Sequence, residues 1–96
     1  MDSFDRKVQV SIVTVDGEQS SVTLHMLDAD YIYDRFSNIN VWVQSQYDSI
    51  MAGTFQFSRL TRNRVKKRVL MSQRSIGDAI RHRASEMRML DPTFEI

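Results

Sequence analysis

Residues 7–27 read KVQVSIVTVDGEQSSVTLHML, and this stretch decides the fold class. Val8, Val10, Ile12 and Thr14 alternate with Gln9 and Ser11, the period-two pattern of a strand with one face in the core. From Ser20 to Leu27 the same alternation sets Val22, Leu24 and Met26 against Ser21, Thr23 and His25. Asp16-Gly17 between them is a hairpin signal. A two-residue loop would face Val10 with Thr23 and put the two apolar rows on opposite faces, which suits only a sheet covered on both sides. A three-residue loop, Asp16 to Glu18, sets Val8 opposite Met26, Val10 opposite Leu24 and Ile12 opposite Val22. Because a slip of one residue reverses every side chain, an odd loop is expected.

Beyond Asp28 the period changes. Ile32, Phe36, Ile39, Val43, Tyr47 and Ile50 follow one another at helical spacing, which predicts a single amphipathic helix of about six turns. Asp28 or Asp30 would cap it, and Gly53 would stop it. A competing local reading makes Asn38 to Gln44 a short strand, since Ile39, Val41 and Val43 also alternate; the longer stripe favours the helix. Phe55 and Phe57 mark a strand over Thr54 to Ser58. Arg64 to Ser72 reads as a strand that closes a second hairpin near Thr61 to Asn63, because a helix there would stack Arg62 on Lys66 and Arg64 on Arg68. Ser75 and Asp78 resemble a capping box, after which Ile76, Ile80, Ala84, Met87 and Leu90 form a helical stripe that Asp91-Pro92 ends. The expected architecture is α+β: a small antiparallel sheet of two hairpins with two helices packed on one face, in the order ββαββα.

Length sets the frame for these elements. The 96 residues suit one domain, 1–96, and a chain of this mass buries about 65% of its extended surface on folding. Apolar residues are 42% and charged residues 26%, a globular balance. The absence of cysteine excludes disulfides, thiolate zinc sites and a cysteine nucleophile, and makes a reducing, cytoplasmic setting the expectation. No run of about 18 apolar residues and no basic-then-apolar start marks a membrane span or secretory signal, so no membrane partner is expected.

The charge pattern is the most informative feature for function. Residues 1–58 carry three Lys or Arg against eight Asp, Glu, a net of −5, while residues 59–96 carry ten against four, a net of +6. Arg59, Arg62, Arg64, Lys66, Lys67 and Arg68 crowd into ten residues, with Arg74 close behind. Such a density attracts extended anions, and arginine suits bidentate contact with phosphate or carboxylate. The plain alternative is that the basic half covers the acidic half of its own domain or of a neighbouring subunit.

Tests for chemistry return no named catalytic group, so the chain is read as a non-enzyme with no cofactor. Asp28-Ala29-Asp30 opens like a calcium loop, but Ile32, Tyr33 and Ile39 occupy positions that need oxygen ligands or glycine. His25 and His82 have no partner at metal-ligand spacing, and His82 falls in an ion-pair ladder with Asp78 and Glu86. Gly17, Gly53 and Gly77 are isolated, so no phosphate loop exists. A helix-turn-helix from Arg62 through Ala84 fits by spacing but carries Lys66 and Leu70 where that motif needs small residues. Phe55 and Phe57 beside the cationic hairpin are stacking candidates whose ordinary fate is the core.

The resulting expectation is a small interaction module whose Arg59, Arg62, Arg64, Lys66, Lys67, Arg68 and Arg74 dock on nucleic acid or on an acidic protein. The rival is an assembly or inhibitor protein, of phage or mobile-element type, that forms a homo-oligomer or binds a host protein through the helix bearing Trp42 and Tyr47. Trp42 lies off the centre of the helical stripe, where it either closes the edge of the small core, the favoured reading, or, partly exposed, serves as an interface anchor.

Overall fold

A computed structural model describes residues 6–55 and 73–94 of the chain. Two antiparallel strands, β1 (Lys7–Val13) and β2 (Gln19–His25), are followed by α1 (Met26–Phe36), α2 (Ile39–Ala52) and α3 (Gln73–Leu90). This is a small α+β fold, but the expected ββαββα order with two hairpins and two helices is not matched: the described residues hold one hairpin and three helices. The proposed strand from Arg64 to Ser72, its turn and the alternative helix-turn-helix up to Ser72 lie outside the described residues. Thr54 and Phe55, expected to start a strand, instead close the end of α2.

The hairpin confirms the odd loop and moves it by one residue. Val8 faces Leu24, Val10 faces Val22 and Ile12 faces Ser20. The loop is therefore Val15 to Gly17, closed by Thr14 N–H donating to Glu18 O at 2.8 Å and Gly17 N–H donating to Thr14 O at 2.9 Å. Gly17 sits at φ 78°, the left-handed position that ends a three-residue hairpin loop, so the glycine had to be the last loop residue rather than the middle one. Parity is preserved by the shift, and Val10, Ile12, Val22 and Leu24 all reach the core.

The expected six-turn helix is two helices. Ser37, at φ 66°, breaks the spiral, and Asn38 N–H donates to Phe36 O at 2.8 Å across it, a γ-turn. Asn38 then caps α2, its Oδ1 accepting from Val41 N–H at 3.1 Å. Capping chemistry thus outweighs a continuous apolar stripe, and the stripe's Phe36 ends 45% exposed. Gly53 stops α2 as expected, at φ 76°, with Gly53 N–H donating to Ile50 O and Thr54 N–H to Ser49 O.

Neither Asp28 nor Asp30 caps α1. The cap is His25, whose Nδ1 accepts from Leu27 N–H at 3.2 Å. Ser75 lies inside α3 rather than at its start, and Asp78 pairs with Arg81 instead of closing a capping box. Ile76, Ala79, Ile80 and Ala84 bury the expected stripe of α3, but Leu90 is exposed because the helix outruns the core there.

The three helices cover the apolar face of the hairpin. Val10, Ile12, Val22 and Leu24 pack with Ala29, Tyr31 and Ile32 of α1, Trp42, Val43 and Tyr47 of α2, and Ile76, Ile80 and Ala84 of α3. Side chains also fasten the strand edges. Gln44 accepts from Val13 N–H at 2.7 Å and donates to Val13 O at 2.9 Å, and Tyr47 Oη accepts from Val15 N–H at 3.1 Å. On the other edge Arg81 Nη1 donates to Thr23 O at 3.3 Å. Among the described residues, no helix is long and apolar enough to cross a membrane.

Candidate functional site

Arg59, Arg62, Arg64, Lys66, Lys67 and Arg68 lie outside the described residues. Arg74 belongs to the first turn of α3. Trp42 and Tyr47 are placed in the core, 6% and 2% exposed, so Trp42 closes the core as the favoured reading has it, and the alternative of a partly exposed anchor is not met. Splitting the helix at Ser37 turns α2 onto the sheet and brings the indole inward, with the Phe36 ring stacked obliquely 6.1 Å from it. The exposed apolar groups near that corner are Tyr33, Phe36 and Val41.

Arg81, Arg83 and Arg88 of the basic half are individually anchored. Arg88 Nε donates to Asp28 Oδ1 at 2.6 Å, and Ser85 Oγ donates to Asp28 Oδ2 at 2.5 Å. Asp28 is the buried charged residue of the core, satisfied on both oxygens as burial requires. Arg83 lies over the Phe55 ring, 4.3 Å from its centroid, a cation–π contact that holds the end of the α2 segment to α3. His82 Nε2 is 3.4 Å from Glu86 Oε2, as the ladder expects, but out of line for a hydrogen bond, and Asp78 turns to Arg81 rather than to His82.

A second constellation clasps the C-terminal turn onto α1. Asp91 Oδ2 accepts from Tyr31 Oη at 2.9 Å and from Arg35 Nε at 3.0 Å. Thr93 gives Asp91 Oδ1 both its backbone N–H, at 2.9 Å, and its hydroxyl, at 2.6 Å, while accepting from Arg35 Nη2 at 2.6 Å. Those Thr93 bonds, then Tyr31 and Arg35, hold the Asp91 carboxyl well below the ordinary carboxylate range. Burial, reinforced by Asp91, pushes the Tyr31 phenol up. Phe94 meets Tyr31 edge to face at 5.0 Å.

Between these anchors lies a cleft of about 220 Å³ lined by Lys7, Thr23, His25, Asp28, Arg81 and Ser85. It joins the start of β1 to the middle of α3, so Lys7 and Arg81 stand on one concavity although 74 positions part them. Sequence reasoning missed it: Lys7 reads only as a strand residue, and no local spacing links it to α3. No group of three or more His, Asp or Glu side chains able to hold a metal occurs among the described residues. Comparison with protein-family models, curated proteins and solved structures finds no match for this chain.

Proposed function

We propose that the protein is a non-enzymatic interaction module whose arginine-rich second half docks on a polyanion, most concretely nucleic acid. One observation carries this reading: the charge is segregated along the chain, with six cations in the ten residues from Arg59 to Arg68. Asp28, Asp34, Asp78 and Asp91 pair with Arg88, Arg35 and Arg81, while the exposed Asp16, Glu18 and Asp30 make no ion pair among the described residues.

Affinity for a duplex or single-stranded oligonucleotide, measured against salt, tests the proposal. The logarithm of affinity should fall linearly with the logarithm of salt, by about 0.9 per contacted phosphate on duplex DNA. Reversing the charge of Arg64, Lys66 and Arg68 together should abolish binding while the circular dichroism spectrum stays native. Absence of binding at about 50 mM salt, where phosphate contacts are strong, overturns the reading.

The second reading is self-association or capture of a host protein through the Trp42-bearing helix. What favours it is Val41, 63% exposed on the first turn of α2, with Tyr33 and Phe36 also exposed in the second half of α1. Sedimentation that returns a monomer at all concentrations removes the self-association form of it.

A further inference from the structure

The cleft between Lys7 and Arg81 brings two cations to one concavity, Arg81 paired on its far side with Asp78 and Lys7 with no ion-pair partner among the described residues. We infer that it seats one phosphate group, supplied by the backbone of the bound polymer; the second half of this statement rests on the polyanion reading, and the first does not. Arg81 is prepared for such a role. Its Nη1 is tied to Thr23 O and its Nη2 to Asp78. The guanidinium also lies over Gly77, where an added Cβ would stand 3.3 Å from both Nη atoms. These ties use two of its five N–H groups, and the other three have no partner among the described residues. A guanidinium already fixed loses little rotamer freedom when an anion arrives.

Lys7 supplies the opposing charge from β1 and has no ion-pair partner among the described residues. The carboxylate at the cleft, Asp28, does not oppose an incoming anion with a bare charge, because Arg88 and Ser85 already satisfy it. His25 also lines the cleft, its Nδ1 accepting from Leu27 N–H. The cleft measures about 220 Å³. That volume is below the about 300 Å³ at which sites for drug-sized ligands begin, so it fits a group of a larger ligand rather than a whole cofactor.

The test has two arms. In the first, inorganic phosphate is titrated at fixed ionic strength against the ¹⁵N-labelled full chain, with chloride as control. Saturable shifts confined to Lys7, Thr23, His25 and Arg81 are expected, weakened about tenfold in Lys7→Gln and in Arg81→Gln, as loss of a charge-assisted hydrogen bond implies. Equal response to chloride, or no response at these residues, overturns the site. Arg81→Gln also removes the tie to Thr23, so Lys7→Gln, on an exposed strand end, guards against a merely structural effect. In the second arm the salt slope for a duplex is compared between wild type and Lys7→Gln. A slope smaller by about 0.9 assigns the seat to a backbone phosphate. An unchanged slope in a protein that binds the duplex overturns the backbone assignment. If phosphate titrates the cleft but no oligonucleotide binds, the polyanion reading fails and the occupant is a small phosphate ester.

Discussion

Asp28 in the first turn of α1 and Arg88 in the last turn of α3 meet at 2.6 Å, with side chains only 5% and 19% exposed. This pair joins the helix that follows the hairpin to the helix that ends the fold. Its geometry also matches the helix dipoles, an acid at an N-terminus and a cation at a C-terminus.

Removing one partner should therefore cost more than removing both. Asp28→Ala leaves the Arg88 guanidinium half-enclosed without a counter-charge, and a loss of about 3 kcal/mol is expected, the lower end for breaking a buried pair. The double variant Asp28→Leu/Arg88→Met should recover most of that loss. Urea denaturation of the three proteins measures both values, and an Asp28→Ala variant as stable as wild type contradicts the assignment.

Ser37 and Asn38 make opposite predictions one residue apart. Ser37 sits at φ 66°, so Ser37→Gly should stabilise by about 1 kcal/mol through relief of backbone strain. Asn38→Ala should destabilise by about 1 kcal/mol through loss of the α2 cap. Thermal melts of the two variants shifting in opposite directions would establish the break between the helices.

The C-terminal clasp predicts an acid-sensitive contribution. The folded-state Asp91 carboxyl lies below its ordinary value of 3.8, so its stabilisation is fully present above that value and drains away as pH falls beneath it. Asp91→Asn should lower stability at neutral pH and flatten the acid limb of the stability profile. Identical acid limbs in the two proteins would show that the clasp does not form in solution.

Gln44 holds both backbone groups of Val13, and Gln44→Leu should cost about 2 kcal/mol by unmaking two hydrogen bonds. Amide exchange localises the effect: the Val13 N–H should lose protection, while the Thr14 N–H, bonded to Glu18 O within the hairpin, should keep most of its own.

What could be read from the residues alone was governed by range. The facing of Val10, Ile12, Val22 and Leu24 was legible because strand alternation is local, and Gly53 was legible because a left-handed stop needs glycine. The loop position was misread by one residue because Asp16-Gly17 marks a turn without saying which of its positions must be left-handed. The break at Ser37 was hidden because Ile32, Phe36, Ile39 and Val43 keep helical spacing across it; Asn38 was the available sign. The Asp28–Arg88 pair and the Lys7–Arg81 cleft depend on contacts across 60 or more positions, where no periodicity operates. The choice between the two readings of Trp42 was open for a related reason: its burial follows from the turn at Ser37 that the stripe concealed.

The side-chain rungs along the hairpin carry a consequence for how the protein behaves in a crowded solution. Among the described residues the sheet has two strands and so two borders, each of a kind able to recruit a strand from another molecule and begin fibril growth. Here the amide of Gln44 and the phenol of Tyr47 occupy one border, and the guanidinium of Arg81 interrupts the other, so an incoming strand meets side chains where it needs backbone.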